Sequence, residues 1–307
     1  MTFLEFHDLI LSLPSVASRE GETACARLLD AALADLSLRR SQLSLDEDAR
    51  EIQEFRRLLL PLLQESAFID DAYRKPRGHA GDFVTQEMIW RGRTAGDVDR
   101  RRGRSLLGQL LNALTFEMAY CKASQERVYV LRDRIRRAGP CVASIGSGAG
   151  IELWTDDATD GRRILLLDSD GGALARARAN IRGAGGTVTY VEQDISRFIV
   201  RGPDDPQFRE CDLVYSIGLF DGLDVSEATY AVRGLWPIVA RGGDLVITNA
   251  HPGNPSRYWL EYACDWFLAY KGQAAMMAMA DALGDVAQAT VTLDRQGVYQ
   301  YLEITKS

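Results

Sequence analysis

The feature that most constrains this chain is a glycine turn set directly after a short apolar run. Cys141–Ile145 reads as a buried strand, and Gly146-Ser147-Gly148-Ala149-Gly150 follows it with no spacer. A strand ending in Gly-x-Gly-x-Gly lets the backbone approach a ligand closely before a following helix begins. The turn alone is a weak signal, and two carboxylates sharpen it. Asp168 ends the next apolar run, at the place where a carboxylate accepts hydrogen bonds from ribose hydroxyls. Asp194 ends the third run, where it and the neighbouring backbone can read an adenine edge. The plainer alternative is a tight strand-to-helix turn followed by two helix-capping acids. A dinucleotide fits less well, because Ile151 stands where G-x-G-x-x-G requires its last glycine.

Around this turn the texture is that of strands alternating with helices. Apolar runs at 141–145, 164–167, 188–191, 213–217 and 244–248 predict strands. Segments 172–181, 227–239, 258–270 and 274–283 predict helices, and the last strands, 288–293 and 299–304, flank a polar turn at 294–297. Such alternation implies a parallel sheet covered on both faces, here closed by an antiparallel pair. The first 135 or so residues differ. Segments 23–36, 51–63 and 105–137 carry apolar residues at three- and four-residue spacing, as amphipathic helices do. Residues 73–83 hold Pro76, Gly78 and Gly81 without periodicity and read as an ordered loop. The expected division is a helical region over 1–137 and a sheet domain over 138–307.

Composition narrows the partners. A formal net charge of −7 and a pI near 5.2 argue against nucleic acid as the main partner, since phosphate binding relies on clustered Lys and Arg. Five scattered cysteines, without a C-x-x-C pair, predict free thiols in a reducing compartment and no metal site. The opening residues include Glu5 and Asp8 and lack a basic segment, and no uncharged run approaches the ~20 residues that span a bilayer. A soluble, cytoplasmic protein without membrane partners is therefore expected.

Three segments carry a resemblance. They are Lys75-Pro76-Arg77-Gly78-His79-Ala80-Gly81-Asp82-Phe83, then Tyr215-Ser216-Ile217-Gly218-Leu219-Phe220-Asp221, then the stretch from Asn249-Ala250-His251-Pro252 through Asn254-Pro255-Ser256-Arg257-Tyr258 to Glu261-Tyr262 and Asp265-Trp266. With the glycine turn, the chain resembles class I S-adenosylmethionine-dependent methyltransferases. More narrowly it is similar to the subfamily labelled extracellular-factor 3-hydroxypalmitic acid methyl ester biosynthesis proteins. The resemblance implies an α/β fold, a Rossmann-like class I methyltransferase sheet with a helical N-terminal region. It implies that Gly146, Ser147 and Gly148 line the methionine moiety of S-adenosylmethionine, that Asp168 holds the ribose, and that Asp194 with Ile195 holds the adenine. Ser169, Ser216 and Gly218 complete the expected cofactor-binding set. His79 departs from the Tyr that the resemblance implies at its position.

Methyl transfer from a sulfonium is an in-line displacement, so alignment supplies much of the rate and a base is needed only where a proton must leave. His251, beside the fifth strand, is the side chain best matched to a base near neutral pH, or else it serves a loop backbone. Arg77 and Asp82 fit a lid in which the guanidinium grips a substrate carboxylate, or else a loop stapled by its own ion pair. With Tyr215 these form the expected catalytic set. Tyr73, Asp221, Asn254, Arg257, Tyr258 and Glu261 form the expected substrate-binding set, although Asn254 also suits a helix cap and Arg257 with Glu261 an exposed helix pair. Arg91, Arg93, Arg100, Arg101, Arg102 and Arg104 make a basic segment, read as solvated or as a dock for an acidic carrier-protein helix.

The Asn/Asp-Pro-Pro-Tyr/Phe pattern of enzymes that methylate base amino groups is missing. The leading expectation is O-methylation of a small molecule, free or carrier-bound, fatty-acid-like or from specialised metabolism. Two alternatives stay open: a methyltransferase-fold enzyme performing another displacement such as ring closure, and a non-catalytic subunit paired with a small protein. A homodimer is a further expected association.

Overall fold

The computed structural model describes residues 1–94, 100–155, 159, 161–182, 185–202 and 207–307, apart from the side chains of residues 93 and 94. Two compact units emerge. One comprises Met1–Ser124 with Pro255–Phe267, and the other Gln125–Asn254 with Leu268–Ser307. The sequence places 255–267 with the sheet domain; in the structure it packs among the N-terminal helices.

The helical unit contains α1 (Phe3–Glu20), α2 (Glu22–Arg40), α3 (Leu45–Leu63), α4 (Ala67–Arg74), α5 (Phe83–Thr94) and α6 (Leu106–Glu117). Local chemistry sets several starts. Thr2 with Glu5, and Ser44 with Glu47, form reciprocal capping boxes ahead of α1 and α3. The buried face of α1 is Phe3, Phe6, Ile10, Leu13 and Val16, at helical spacing. Phe3 and Phe6 pack on Phe55 of α3, which is fully buried and also meets Tyr258 and Tyr262 edge-on. Those two tyrosines belong to α11 (Arg257–Ala263), and the aromatic cluster is what recruits this late segment to the helical unit.

The sheet unit holds β1 (Cys141–Ile145), β2 (Arg163–Asp168), β3 (Thr187–Glu192), β4 (Cys211–Ser216), β5 (Val239–Ala250), β6 (Val286–Leu293) and β7 (Tyr299–Lys306) in the order β3-β2-β1-β4-β5-β7-β6. The first five strands pair in parallel, and β7 runs antiparallel to both β5 and β6. On one face, Leu131 and Ile135 of α7 (Ala119–Arg137) and Leu174 and Ala177 of α8 (Gly171–Asn180) cover Val142, Ile164, Leu166 and Tyr215. On the other, α9 (Ile195–Arg201), α10 (Val225–Leu235) and α12 (Gln273–Asp281) bury Phe198, Val232 and Met279 against Ile145, Leu167, Val214 and Ile247. The fold is thus the expected Rossmann-like three-layer arrangement. Among the described residues no helix is long and apolar enough to cross a membrane.

Four expectations change. The single helix over 105–137 breaks at Met118, which is extended, and the Tyr120 N–H that follows donates to the Ser256 hydroxyl at 3.0 Å. The helix over 258–270 stops at Ala263, because Asp265 turns left-handed (φ 51°) with its carboxylate held by Arg56 and Lys75. The helix over 227–239 stops at Leu235 as Pro237 forces a tighter turn, and β5 starts at Val239, running through Gly242 at φ 74°. After the glycine turn the described chain forms only a 3₁₀ turn, Ile151–Leu153.

Candidate functional site

In parallel α/β sheets ligands bind beyond the carboxyl ends of the strands, and the glycine turn lies there, after β1. Gly146, Gly148 and Gly150 all have positive φ, 67°, 53° and 59°, which side chains other than glycine rarely adopt. The Leu167 carbonyl at the end of β2 accepts from the Gly146 and Ser147 N–H groups at 2.9 and 3.1 Å. Asp168 then binds the turn from the side: Oδ2 accepts from Gly148 N–H at 2.7 Å and Oδ1 from Asp170 N–H at 2.9 Å. Asp168 therefore caps no helix. That task falls to Asp170 for α8 and to Asp194, which accepts from Arg197 N–H at 2.8 Å, for α9. Ser169 is exposed between the two acids.

This arrangement discriminates between ligands. A dinucleotide site offers backbone N–H groups and a helix N-terminus to pyrophosphate. Here three N–H groups of the turn are bonded to the end of β2, and a 3₁₀ turn stands in place of the helix. The cradle suits a ligand that brings a ribose and an apolar or zwitterionic tail rather than a phosphate. Ile195 and Leu219 approach Gly146 closely enough that a Cβ there would touch both at 3.5 Å, giving the turn an apolar rim. Gly218, after β4, has φ 100°, and a Cβ there would meet nothing within 4 Å, so the space beside it is open.

Ser216 and Tyr215 point elsewhere. The Ser216 hydroxyl donates to the Ile145 carbonyl at 2.7 Å and ties β4 to β1. Tyr215 is fully buried on the α7/α8 face, its hydroxyl donating to Glu152 Oε1 at 2.6 Å. Burial, then the adjacent Glu152 carboxylate, raises this phenol well above its ordinary range. Glu152, two residues past the glycine turn, is itself buried, and desolvation raises its carboxyl against the pull of Tyr215, Arg127 and Arg132. Sequence reading placed Tyr215 in the catalytic set but missed Glu152, although a carboxylate in a run that enters the core was its one visible sign.

A raised folded-state value means the folded carboxyl holds its proton more tightly than the unfolded one. The parent's stability is then full below the ordinary glutamate value of 4.5 and is lost as pH climbs through the raised one. Glu152→Gln removes this titration and can still accept from Tyr215. Its stability relative to the parent is expected to rise between mildly acid and neutral pH, measured by urea unfolding; a gap independent of pH would contradict it.

Beyond β4 and β5 lies a second polar cluster. Asp221 is buried, and its Oδ1 accepts from Ala250 N–H at 2.7 Å and from the Asn249 amide at 3.1 Å. Desolvation raises its carboxyl, opposed by Arg127 and Lys271. The Lys271 ammonium, 2% exposed, donates to the carbonyls of Phe220, Leu223 and Ala269. His251 adjoins this cluster in sequence. Its Nδ1 accepts from Gly253 N–H at 3.1 Å, which leaves Nε2 as the proton-bearing nitrogen of the neutral ring. The His251 carbonyl accepts from the N–H of buried Asn254 at 3.0 Å.

Tyr73, Arg77, Asp82, Arg257, Tyr258 and Glu261 all belong to the helical unit. Arg77 donates to Asp82 at 2.6 Å and to Asp71 at 2.9 Å, while Asp82 Oδ1 caps α5 through Val84 and Thr85. The loop is thus stapled internally. Gly81 lies flat on Trp266, where a Cβ would sit 2.0 Å from the ring, and Lys75 pairs with Asp265. Two of the sequence segments behind the family resemblance therefore meet in space. Tyr73 lies under Arg56 at 5.5 Å. Glu261 is 2% exposed rather than an open helix-pair member, held between Arg257 and Arg40, and Tyr258 stacks on Tyr262 at 4.0 Å. Much of the basic segment is ion-paired: Arg91 to Glu87, Arg100 to Glu117, Arg101 to Glu22 and Arg104 to Asp70. The side chain of Arg93 lies outside the described residues.

No family model matches the chain, and no curated protein matches it. Solved structures do, by fold. One is described as a possible exported protein from Bordetella parapertussis, 20% identical over 78% of this chain and 94% of that one, with a TM-score of 0.53. Another is magnesium protoporphyrin IX methyltransferase from Synechocystis PCC 6803 with bound S-adenosylmethionine, 16% identical over 74% and 99%, with a TM-score of 0.46. N-methyltransferase NodS from Bradyrhizobium japonicum WM9 is 17% identical over 59% and 95%, with a TM-score of 0.41. At such identities the likeness concerns the fold.

Proposed function

We propose that this protein is an S-adenosylmethionine-dependent methyltransferase acting on a carboxylate of a small, fatty-acid-like or specialised metabolite. The observation that carries the reading is the glycine turn tied to Asp168 and followed directly by a 3₁₀ turn. In this reading the turn at Gly146, Ser147 and Gly148 receives the amino-acid end, and Asp168 presents its carboxylate to the ribose. Asp194 and Ile195 frame the adenine, and Gly218 leaves the approach to the methyl group clear. When bound, the sulfonium supplies the methyl group and departs as a neutral thioether.

A carboxylate acceptor follows from what the candidate bases are doing. His251 Nδ1 is engaged by Gly253, the Tyr215 phenol is buried on Glu152, and Asp82 and Glu261 are ion-paired. An acceptor already ionised at neutral pH needs no base, only alignment and exclusion of water. The resemblance to the methyl ester subfamily points the same way.

Titration calorimetry with S-adenosylhomocysteine tests the first part. Saturable binding is expected, weakened roughly ten- to hundredfold in Asp168→Ala, the worth of one charge-assisted hydrogen bond. No saturable heat at millimolar ligand, or an unaltered affinity in the variant, would refute it. For the acceptor, products formed from carboxylic acids and from alcohols are compared by mass spectrometry. Base-labile methyl esters are expected, and base-stable ethers alone would overturn the carboxylate assignment while leaving cofactor binding intact.

A further inference from the structure

At the end of the sheet opposite the glycine turn, the first residues of β1 and β4 bring two thiols together. Cys141 Sγ and Cys211 Sγ lie 3.2 Å apart, both buried. Strict strand alternation would send them to opposite faces, since Val142 pairs with Leu213. The pairing of β4 with β5 is irregular between Cys211 and Leu213, and Cys141 and Cys211 both join one core cluster. Arg163, the partly exposed first residue of β2, donates through Nη2 to Cys141 Sγ at 3.1 Å. The Cys141 N–H donates to Asp212 Oδ2 at 2.9 Å, which pins the backbone beside the sulfur. None of these groups takes part in the proposed methyl transfer.

We propose that Cys141 and Cys211 are a redox modification site, in which a hydroperoxide oxidises Cys141 and Cys211 then closes a disulfide between β1 and β4. The Cys141 thiolate takes the terminal oxygen of the hydroperoxide; the O–O bond breaks, and water or an alcohol leaves after taking a proton from solvent. The sulfenic acid so formed is attacked by the Cys211 sulfur. An S–S bond forms, the S–O bond breaks, and the oxygen departs as water with the Cys211 proton. Two thiols are oxidised and one hydroperoxide is reduced. The two sulfurs need to approach by only about 1 Å to reach bonding distance. The asymmetry suits the roles: the Cys211 and Arg163 hydrogen bonds hold the Cys141 thiol below its ordinary range despite burial, while the Cys141 contact and burial push Cys211 up.

The test exposes the reduced full chain to hydrogen peroxide at neutral pH, followed by alkylation in denaturant, digestion and mass spectrometry. A peptide pair joined through Cys141 and Cys211, lighter by two hydrogen atoms, is expected, with Cys25, Cys121 and Cys264 left alkylatable. In Cys211→Ser, Cys141 halts at the sulfenic stage and is trapped by a cyclic dione. Arg163→Met slows the oxidation about tenfold or more, as the thiolate loses its cation. Circular dichroism establishes that each variant is folded. Retention of all five thiols, a cross-link through another cysteine, or Cys141 passing to sulfinic acid in the parent would overturn the proposal.

Discussion

Replacing Lys271 with Met is expected to lower the stability of the sheet unit by about 3–5 kcal/mol, the usual cost of removing one member of a buried charged network. The ammonium sits at the mouth of the turn after β4. Leu223 and Ala269 offer it carbonyls for which no other donor is seen among the described residues, whereas Phe220 also has the Asn249 amide. Each carbonyl left without a donor in a buried site costs roughly 1–3 kcal/mol, and buried Asp221 loses a neighbouring positive charge besides. Urea unfolding of parent and variant measures the difference, and a loss under about 1 kcal/mol would mean that water replaces the ammonium. A pH signature accompanies it. Burial lowers Lys271 below the ordinary lysine value of 10.5, so the unfolded chain holds this proton more tightly than the folded one. The parent's contribution from Lys271 therefore grows as pH rises toward 10.5, and the gap to the variant widens with it.

A second large effect is expected in the helical unit. Arg40 bridges α2, α3 and α11: it grips Asp48 through two hydrogen bonds of 2.8 Å, pairs with Glu261 and lies over the Tyr262 ring at 5.0 Å. The Tyr262 hydroxyl completes the network by donating to Asp48 at 2.6 Å. Arg40→Met leaves the buried Glu261 carboxylate with Arg257 as its remaining ion-pair partner among the described residues, at a cost of about 3–5 kcal/mol. Part of that cost is the second cation lost by a buried carboxylate, so Glu261→Gln in the Arg40→Met background is expected to recover roughly 1–2 kcal/mol. Losses that simply add would assign the effect to packing around Tyr262 instead.

How much of this was legible beforehand depends on the range of the forces concerned. The strands were, because apolar runs such as Cys141–Ile145 are bounded by glycine and charge, and burial on both faces leaves such a run no other place. The positions of Asp168 and Asp194 followed from the same runs. The role of Asp168 in fastening Gly148 did not, since a hydrogen bond to a backbone N–H twenty residues away has no composition of its own. The helix breaks at Met118 and Asp265 have the same cause: Ser256, Arg56 and Lys75 act from far along the chain. Lys271 and Glu152 were missed because an isolated charge looks the same in sequence whether solvated or buried. Arg77 and Asp82 were singled out, and what the structure shows of them is the ion pair foreseen as the plainer option.

The late segment Pro255–Phe267 carries a consequence for the birth of the protein. Phe3, Phe6 and Phe55 leave the ribosome together, whereas Tyr258 and Tyr262, which complete their cluster, come after the whole of residues 125–254. At roughly 5–20 residues per second that interval is on the order of ten seconds. Throughout it the nascent helices hold an aromatic face open to the crowd around them, which makes this face the natural ground for a chaperone and the weak point for aggregation. Synonymous changes that slow translation between codons 125 and 254 would lengthen the exposure without altering a single residue.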